Sequence, residues 1–198
     1  MQEAVSARRS NRERTEATRA ALIAAARNLF IEKSYAETGT PEIVAAAGVT
    51  RGALYHHFAD KQALFRAVVE AEAAAVAAEI DAATEAPASV RQALLDGADA
   101  FFRAMAVNGR TRLLLLDGPA VLGRSLMDEI DERYGGRTLV EGLTAAMEAG
   151  ELQQLPVPAL AAQLSAMFDR AALAIEAGAS VEDHRKVFAA IIDALSTR

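Results

Sequence analysis

Residues 40–58 constrain this chain more than any other stretch. They read Thr-Pro-Glu-Ile-Val-Ala-Ala-Ala-Gly-Val-Thr-Arg-Gly-Ala-Leu-Tyr-His-His-Phe. Ile43 and Ala47 fall one helical turn apart, and Leu54 and Phe58 repeat that spacing beyond a glycine, so two short helices meet at a tight corner. Thr40 suits the cap of the first, its hydroxyl accepting from an orphan amide. Pro41 suits the first helical position, where its missing N–H costs nothing. Gly48 stands where the chain leaves a helix through a left-handed residue. Val49 plugs the corner, and Thr50 caps a second helix beginning at Arg51. With Leu54 and Phe58 facing inward, Arg51, Gly52, Tyr55 and His56 lie on other faces, free to meet a partner.

This is a helix-turn-helix pattern, and its outward residues suit DNA. Arginine grips guanine through two parallel hydrogen bonds, and a bare glycine lets a helix approach a groove closely. Tyrosine and histidine donate to phosphate oxygens, which set register rather than base preference. The pattern alone leaves two readings open, because short glycine-turned helix pairs also serve as plain packing units.

Gly48 to Phe58, followed by Asp60-Lys61 and Leu64-Phe65, resembles the DNA-binding signature of the tetracycline-repressor (TetR) family. Ala25-Ala26 and Leu29-Phe30 fit that family's first helix. The resemblance spans roughly residues 15 to 70. It departs at Gly39, where many relatives carry Thr or Ser, and at Ser34, where relatives usually carry glycine. What it implies is contact with phosphate by Tyr55 and His57, and with backbone or base by His56. Thr40, Thr50, Arg51, Gly52 and Lys61 match contact positions too, with Arg51 and Gly52 meeting base edges.

Net charge is −6, which at first argues against nucleic acid, but its distribution points the other way. Residues 1–61 carry nine Lys/Arg and seven acids, for +2, and the remainder carries −8. A mildly basic head on an acidic body fits docking to DNA at one end. The same balance argues against a sequence-tolerant architectural binder, whose overall charge should be strongly basic.

The rest of the chain is rich in alanine and leucine with only five prolines, which predicts an all-α protein. We expect a disordered basic arm over residues 1–14, a helix-turn-helix domain over 15–60, and a helical effector-binding and dimerisation domain over 61–198. A helix over 61–83, about 35 Å long at 1.5 Å per residue, links the two. Further helices are expected over about 90–107, over 112–116 (stopped by Asp117-Gly118-Pro119), over 122–149 with a bend at Gly135-Gly136, and over 159–177 and 181–197. The last two carry apolar faces wider than one buried stripe needs. Small residues on them (Ala161, Ala172, Ala190, Ala194) suit a four-helix bundle between two subunits, and the family resemblance implies the same homodimer.

No cysteine is present, which excludes disulfides and thiolate chemistry. The N-terminus has no apolar secretory core, and Leu113–Leu116 is far too short to span a bilayer. These features lead us to expect a cytoplasmic protein without membrane contact. No catalytic set or phosphate-binding glycine loop occurs, so no enzyme activity and no cofactor are expected. His56 and His57 point about 100° apart on a helix and do not share a metal ion. Phe101, Met105, Leu113, Met127, Met147 and Phe168 offer the apolar lining of a small-molecule pocket, or ordinary core. The reading that results is a transcriptional regulator. Its homodimer holds an inverted-repeat operator in double-stranded DNA and is released by a small-molecule effector. The rival is a helical ligand-binding protein or enzyme that retains the head without regulatory DNA binding.

Overall fold

The computed structural model describes residues 2–85 and 87–197, with side chains from Arg12 onward. Among these residues the fold is all-α. No β-strand occurs, and one isolated antiparallel bridge joins Leu152 to Ser196.

The first helix, α1 (Gln2–Lys33), begins where a disordered arm over 1–14 is predicted. Gln, Glu, Ala and Arg predominate there and neither Gly nor Pro interrupts, so intrinsic propensity favours helix over these residues. Apolar periodicity reports what a helix packs against, not whether it forms. In the packed half, Leu22, Ala26 and Phe30 are fully buried. They cover α2 (Thr40–Ala47) and α3 (Arg51–His57) together with the start of α4 (Lys61–Ala83).

Helix α4 has the predicted bounds and belongs to both halves of the molecule. Leu64, Phe65, Val68 and Val69 complete the core of the head, where Phe65 meets Phe30 edge-on at 5.2 Å and Tyr35 at 5.0 Å. Burying a ring of this size contributes about 1.5–3 kcal/mol. Farther along, α4 packs against α5 (Val90–Met105), which is capped by the Ser89 hydroxyl at the Gln92 amide.

The expected stop at Asp117-Gly118-Pro119 does not occur. The short helix α6 (Arg110–Arg112) runs on through a π turn over Leu113–Asp117 into α7 (Gly118–Leu122). Pro119 falls in the first turn of α7, where it needs no amide. Gly118 makes the wide turn possible, since a Cβ there would sit 2.9 Å from both the Leu113 carbonyl oxygen and the Met127 sulfur. The chain leaves α7 at Gly123, φ +84°. The single bent helix expected over 122–149 is instead two helices, α8 (Arg124–Arg133) and α9 (Gly135–Glu148), broken by a non-helical Tyr134. Helices α10 (Val157–Glu176) and α11 (Val181–Leu195) then pack with α5 and α9 around a second core of Leu94, Phe102, Leu143, Phe168, Phe188 and Ile192.

Candidate nucleic-acid interface

The corner between α2 and α3 is held by local chemistry. Gly48 adopts φ +66°, and the Val49 amide donates back to the Val44 carbonyl at 3.0 Å. Thr50 caps α3 by accepting from the Ala53 amide at 3.1 Å, and Asp60 caps α4 by accepting from the Ala63 amide at 2.7 Å. Ile43 and Leu54 lock the pair from below, both fully buried. A short helix anchored at both ends and along one face is a rigid platform for the residues on its other face.

That other face is open. Arg51, Gly52, Tyr55 and His56 are exposed, as are Thr50 before them and Pro41 on α2. The Arg51 guanidinium lies over the Tyr55 ring, 5.5 Å from its centre, which restrains a long side chain that would otherwise sweep many rotamers. Hydrogen bonds from the Thr40 hydroxyl, then from Arg51, hold the Tyr55 phenol below its usual pKa. Thr40, Arg51 and Tyr55 thus form one linked polar surface rather than three separate contacts. His56 and His57 stand edge to face at 5.4 Å, and no group of three or more metal-ligating side chains exists among the described residues.

One position differs from expectation, and two others are engaged within the head. Gly39 and not Thr40 is the cap residue of α2, because Glu42 reaches back to accept from the Gly39 amide at 3.2 Å; the Thr40 side chain is left for Tyr55. Lys61 is half-buried, and its ammonium donates to the carbonyls of Tyr35 (2.9 Å) and Thr38 (3.1 Å) while lying 4.2 Å from the Tyr35 ring centre. It ties the loop 34–39 to α4. His57 is likewise half-buried, beside Phe58.

Two further features carry no signal in the order of residues. Arg19 on α1 lies over the Phe58 ring at 5.4 Å, an exposed cation beside the head's α3. At the junction of head and body, Glu72 of α4 accepts from Arg27 of α1 at 2.7 Å and from Arg110 of α6 at 3.0 Å. Arg27 also donates to the Asn108 carbonyl at 3.2 Å, and Arg110 reaches Glu79 at 2.9 Å. Neither pairing has a fixed sequence spacing that would announce it.

A cavity of about 250 Å³ opens in the second domain between α4, α5, α9 and α10. Of the six predicted lining residues only Phe101 and Phe168 face it. Met105 instead borders a separate depression of about 310 Å³ beside the α5–α6 turn. Leu113 and Met147 are buried core, and Met127 packs on Gly118. Apolar inward-facing residues look alike in sequence; which of them border empty space depends on how the helices diverge. The cavity is also lined by Asp131, which is exposed, and by the half-buried Asp169. Burial and the nearby Asp131 charge push the Asp169 carboxyl up to about 6, against a smaller opposing effect of Arg124.

Comparison with known proteins adds to this geometry. Residues 22–68 match a family model described as bacterial regulatory proteins, tetR family, and residues 91–197 match the tetracyclin repressor-like C-terminal domain. The chain is 42% identical over 62 residues to the transcriptional repressor BepR of Brucella suis, covering 31% of this chain and 29% of that one. It is 33% identical over 95 residues to the transcriptional activator FasR of Mycolicibacterium smegmatis, covering 48% and 43%. These matches therefore span less than half of the curated relatives. A solved TetR-family regulator from Pectobacterium atrosepticum superposes over 94% of this chain and 98% of its own, with TM-score 0.75 and 28% identity. The fatty acid degradation regulator FadR of Bacillus halodurans shares the fold over 88% and 93%, with TM-score 0.75 at 17% identity.

Proposed function

The chain belongs to the tetR family of bacterial regulatory proteins, and from that we propose that it is a DNA-binding transcriptional regulator, a repressor released by a small-molecule effector. The observation that carries this is the face of α3, where Arg51, Gly52, Tyr55 and His56 are exposed on a helix rigidly capped by Thr50. Arg51, Gly52 and His56 meet base edges in the major groove, while Thr40, Thr50, Tyr55 and His57 address phosphate. Lys61 acts indirectly, by fixing the loop before α2.

Two copies are required to read an inverted repeat with heads one helical turn apart. The dimer forms through α10 and α11. Ala162, Ala166, Ala190 and Ala194 are exposed there, and Val187 is 55% exposed. Ala161 and Ala172 are buried within the monomer and belong to its own core. Effector binding beside α4 shifts that helix and, through Glu72, the head. The equilibrium moves by the ligand's differential affinity for the two states. No helix among the described residues is long and apolar enough to cross a membrane, and a cytoplasmic location agrees with a DNA partner.

Selection of bound sequences from random duplex DNA, at physiological salt, tests the proposal. Enrichment of an inverted repeat supports it. A folded, dimeric protein that enriches nothing returns the function to the second domain, as a ligand-binding protein or enzyme with an idle head.

A further inference from the structure

The cavity of the second domain has a chemical character more specific than "apolar". Three of its walls are aromatic: Phe101, Phe168 and Phe188. They pack against one another at a tilt, with ring centres 5.3 Å apart for Phe101 and Phe168 and 4.7 Å for Phe168 and Phe188. Leu94 extends the same wall.

Every ionisable group that lines the cavity is acidic: Asp81, Asp131, Glu141 and Asp169. Two of these share one counter-ion, because Arg137 bridges Asp81 at 2.9 Å and Glu141 at 2.8 Å. The other two are not. Asp131 accepts from neutral donors, the Ser165 hydroxyl at 3.2 Å and the Gly136 amide. Asp169 has no hydrogen-bond or ion-pair partner among the described residues. The opposing charge that acts on Asp169, Arg124, is committed to Asp128 at 3.3 Å and is 84% exposed. Asp128 and Glu132 add further negative potential at Asp131.

Half-buried and lacking a counter-ion, Asp169 is unfavourable as a carboxylate where it stands. A cation placed beside it removes that penalty, and aromatic faces attract the same cation through their quadrupoles. Two carboxylates and one hydroxyl fall short of a metal site, and no metal-binding group of three occurs among the described residues. The aromatic walls require a ligand with an organic body.

We propose that this cavity binds an organic cation, with an ammonium group between Asp131 and Asp169 and an aromatic or aliphatic body against Phe101, Phe168 and Phe188. The proposal deepens the regulator reading by naming the chemical class of its effector, and rests on that reading only for the consequence of binding. Anionic ligands such as free carboxylates are excluded by the same charges. Affinity for the cation rises as pH climbs through about 6, where Asp169 loses its proton. Arg124 favours that ionised form less strongly than Asp131 disfavours it.

Three probes of one shape test the proposal by calorimetry on the full chain at pH 7.5: 2-phenylethylammonium, 2-phenylethanol and phenylacetate. The cation is expected to bind at least tenfold more tightly than the alcohol, and the carboxylate not at all. Asp169→Asn, which keeps size and shape, is expected to erase that preference while the variant stays folded. Asp131→Asn should reduce it. Equal binding of alcohol and ammonium, tighter binding of phenylacetate, no binding of the ammonium at millimolar concentration, or an unchanged preference in both variants would overturn it. DNA binding is read separately on the enriched duplex. Cation binding with the expected preference but no specific DNA binding sinks the regulator reading and leaves the site standing.

Discussion

Arg110 and Glu72 face each other at 3.0 Å with side chains only 7% and 10% exposed. They join α6 of the body to α4, and Arg27 of α1 closes on the same carboxylate at 2.7 Å. Burial alone would raise the Glu72 carboxyl; hydrogen bonds from Arg27 and Arg110 outweigh it and hold the group below its usual range. One carboxylate therefore couples the first helix of the head to the body through α6.

Removing that carboxylate leaves two guanidiniums without their shared partner. Glu72→Gln is expected to cost about 3 kcal/mol in urea unfolding at pH 7. Since the folded pKa is depressed, the contribution is present above the ordinary carboxylate range and fades as pH falls through the folded value. The difference between wild type and variant should thus shrink in acid. A variant as stable as wild type at pH 7 would show that Glu79 and solvent replace Glu72.

Arg51 and Tyr55 share a face but predict different losses. Arg51→Ala should weaken binding to the enriched operator by about 1–3 kcal/mol and relax preference at one base position. Tyr55→Phe removes the phenol that Thr40 and Arg51 address, and should lower affinity by about 1 kcal/mol alike for operator and scrambled duplex. Fluorescence anisotropy on both duplexes separates them. A uniform loss for Arg51→Ala reassigns it to phosphate.

Lys61 commits its ammonium to two carbonyls. Lys61→Met should therefore cost about 1–2 kcal/mol of stability and leave the salt dependence of DNA binding unchanged. Were Lys61 a phosphate contact, the slope of log affinity against log salt would fall by about 0.9.

Ser34 is the one non-glycine described residue at positive φ, +87°. A side chain in that conformation costs about 1–2 kcal/mol relative to glycine. Ser34→Gly should raise stability by about 0.5–1 kcal/mol, net of the extra freedom of the unfolded chain, and thermal melts would register the gain. The family's usual glycine at this position has its physical reason here.

Asp169 reverses the usual carboxylate sign. Its pKa is about 6 in the fold, against an ordinary value of 3.8. Between those values the folded protein holds a proton the unfolded chain has released, so stability falls as pH rises across that window. Asp169→Asn should add about 1–3 kcal/mol at pH 7.5 and little at pH 4. A variant less stable than wild type at pH 7.5 would mean that the carboxylate has a counter-ion in solution.

Much of the head is legible in sequence because its determinants are local. Gly48, Thr50, Asp60 and the spacings Ile43/Ala47 and Leu54/Phe58 act within one or two helical turns, so the elements and the exposed α3 face follow from order alone. The bounds of α4 are readable for the same reason. The run of α1 back to Gln2 escapes such a reading because residues 1–14 carry no apolar periodicity, and a helix can form without it. The passage through Gly118-Pro119 escapes it because a π turn depends on room beside Leu113 and Met127, which only the folded chain supplies.

By itself, then, the sequence determined an all-α chain, a helix-turn-helix head, its outward residues and the long helix behind it. Tertiary structure decided that Lys61 turns inward, that Glu72 gathers Arg27 and Arg110, and that Asp131 and Asp169 meet a cavity walled by Phe101, Phe168 and Phe188. The division has one physical cause. Caps, turns and helical faces are set by neighbours a few residues away, whereas ion pairs and cavities arise where helices distant in sequence converge or part.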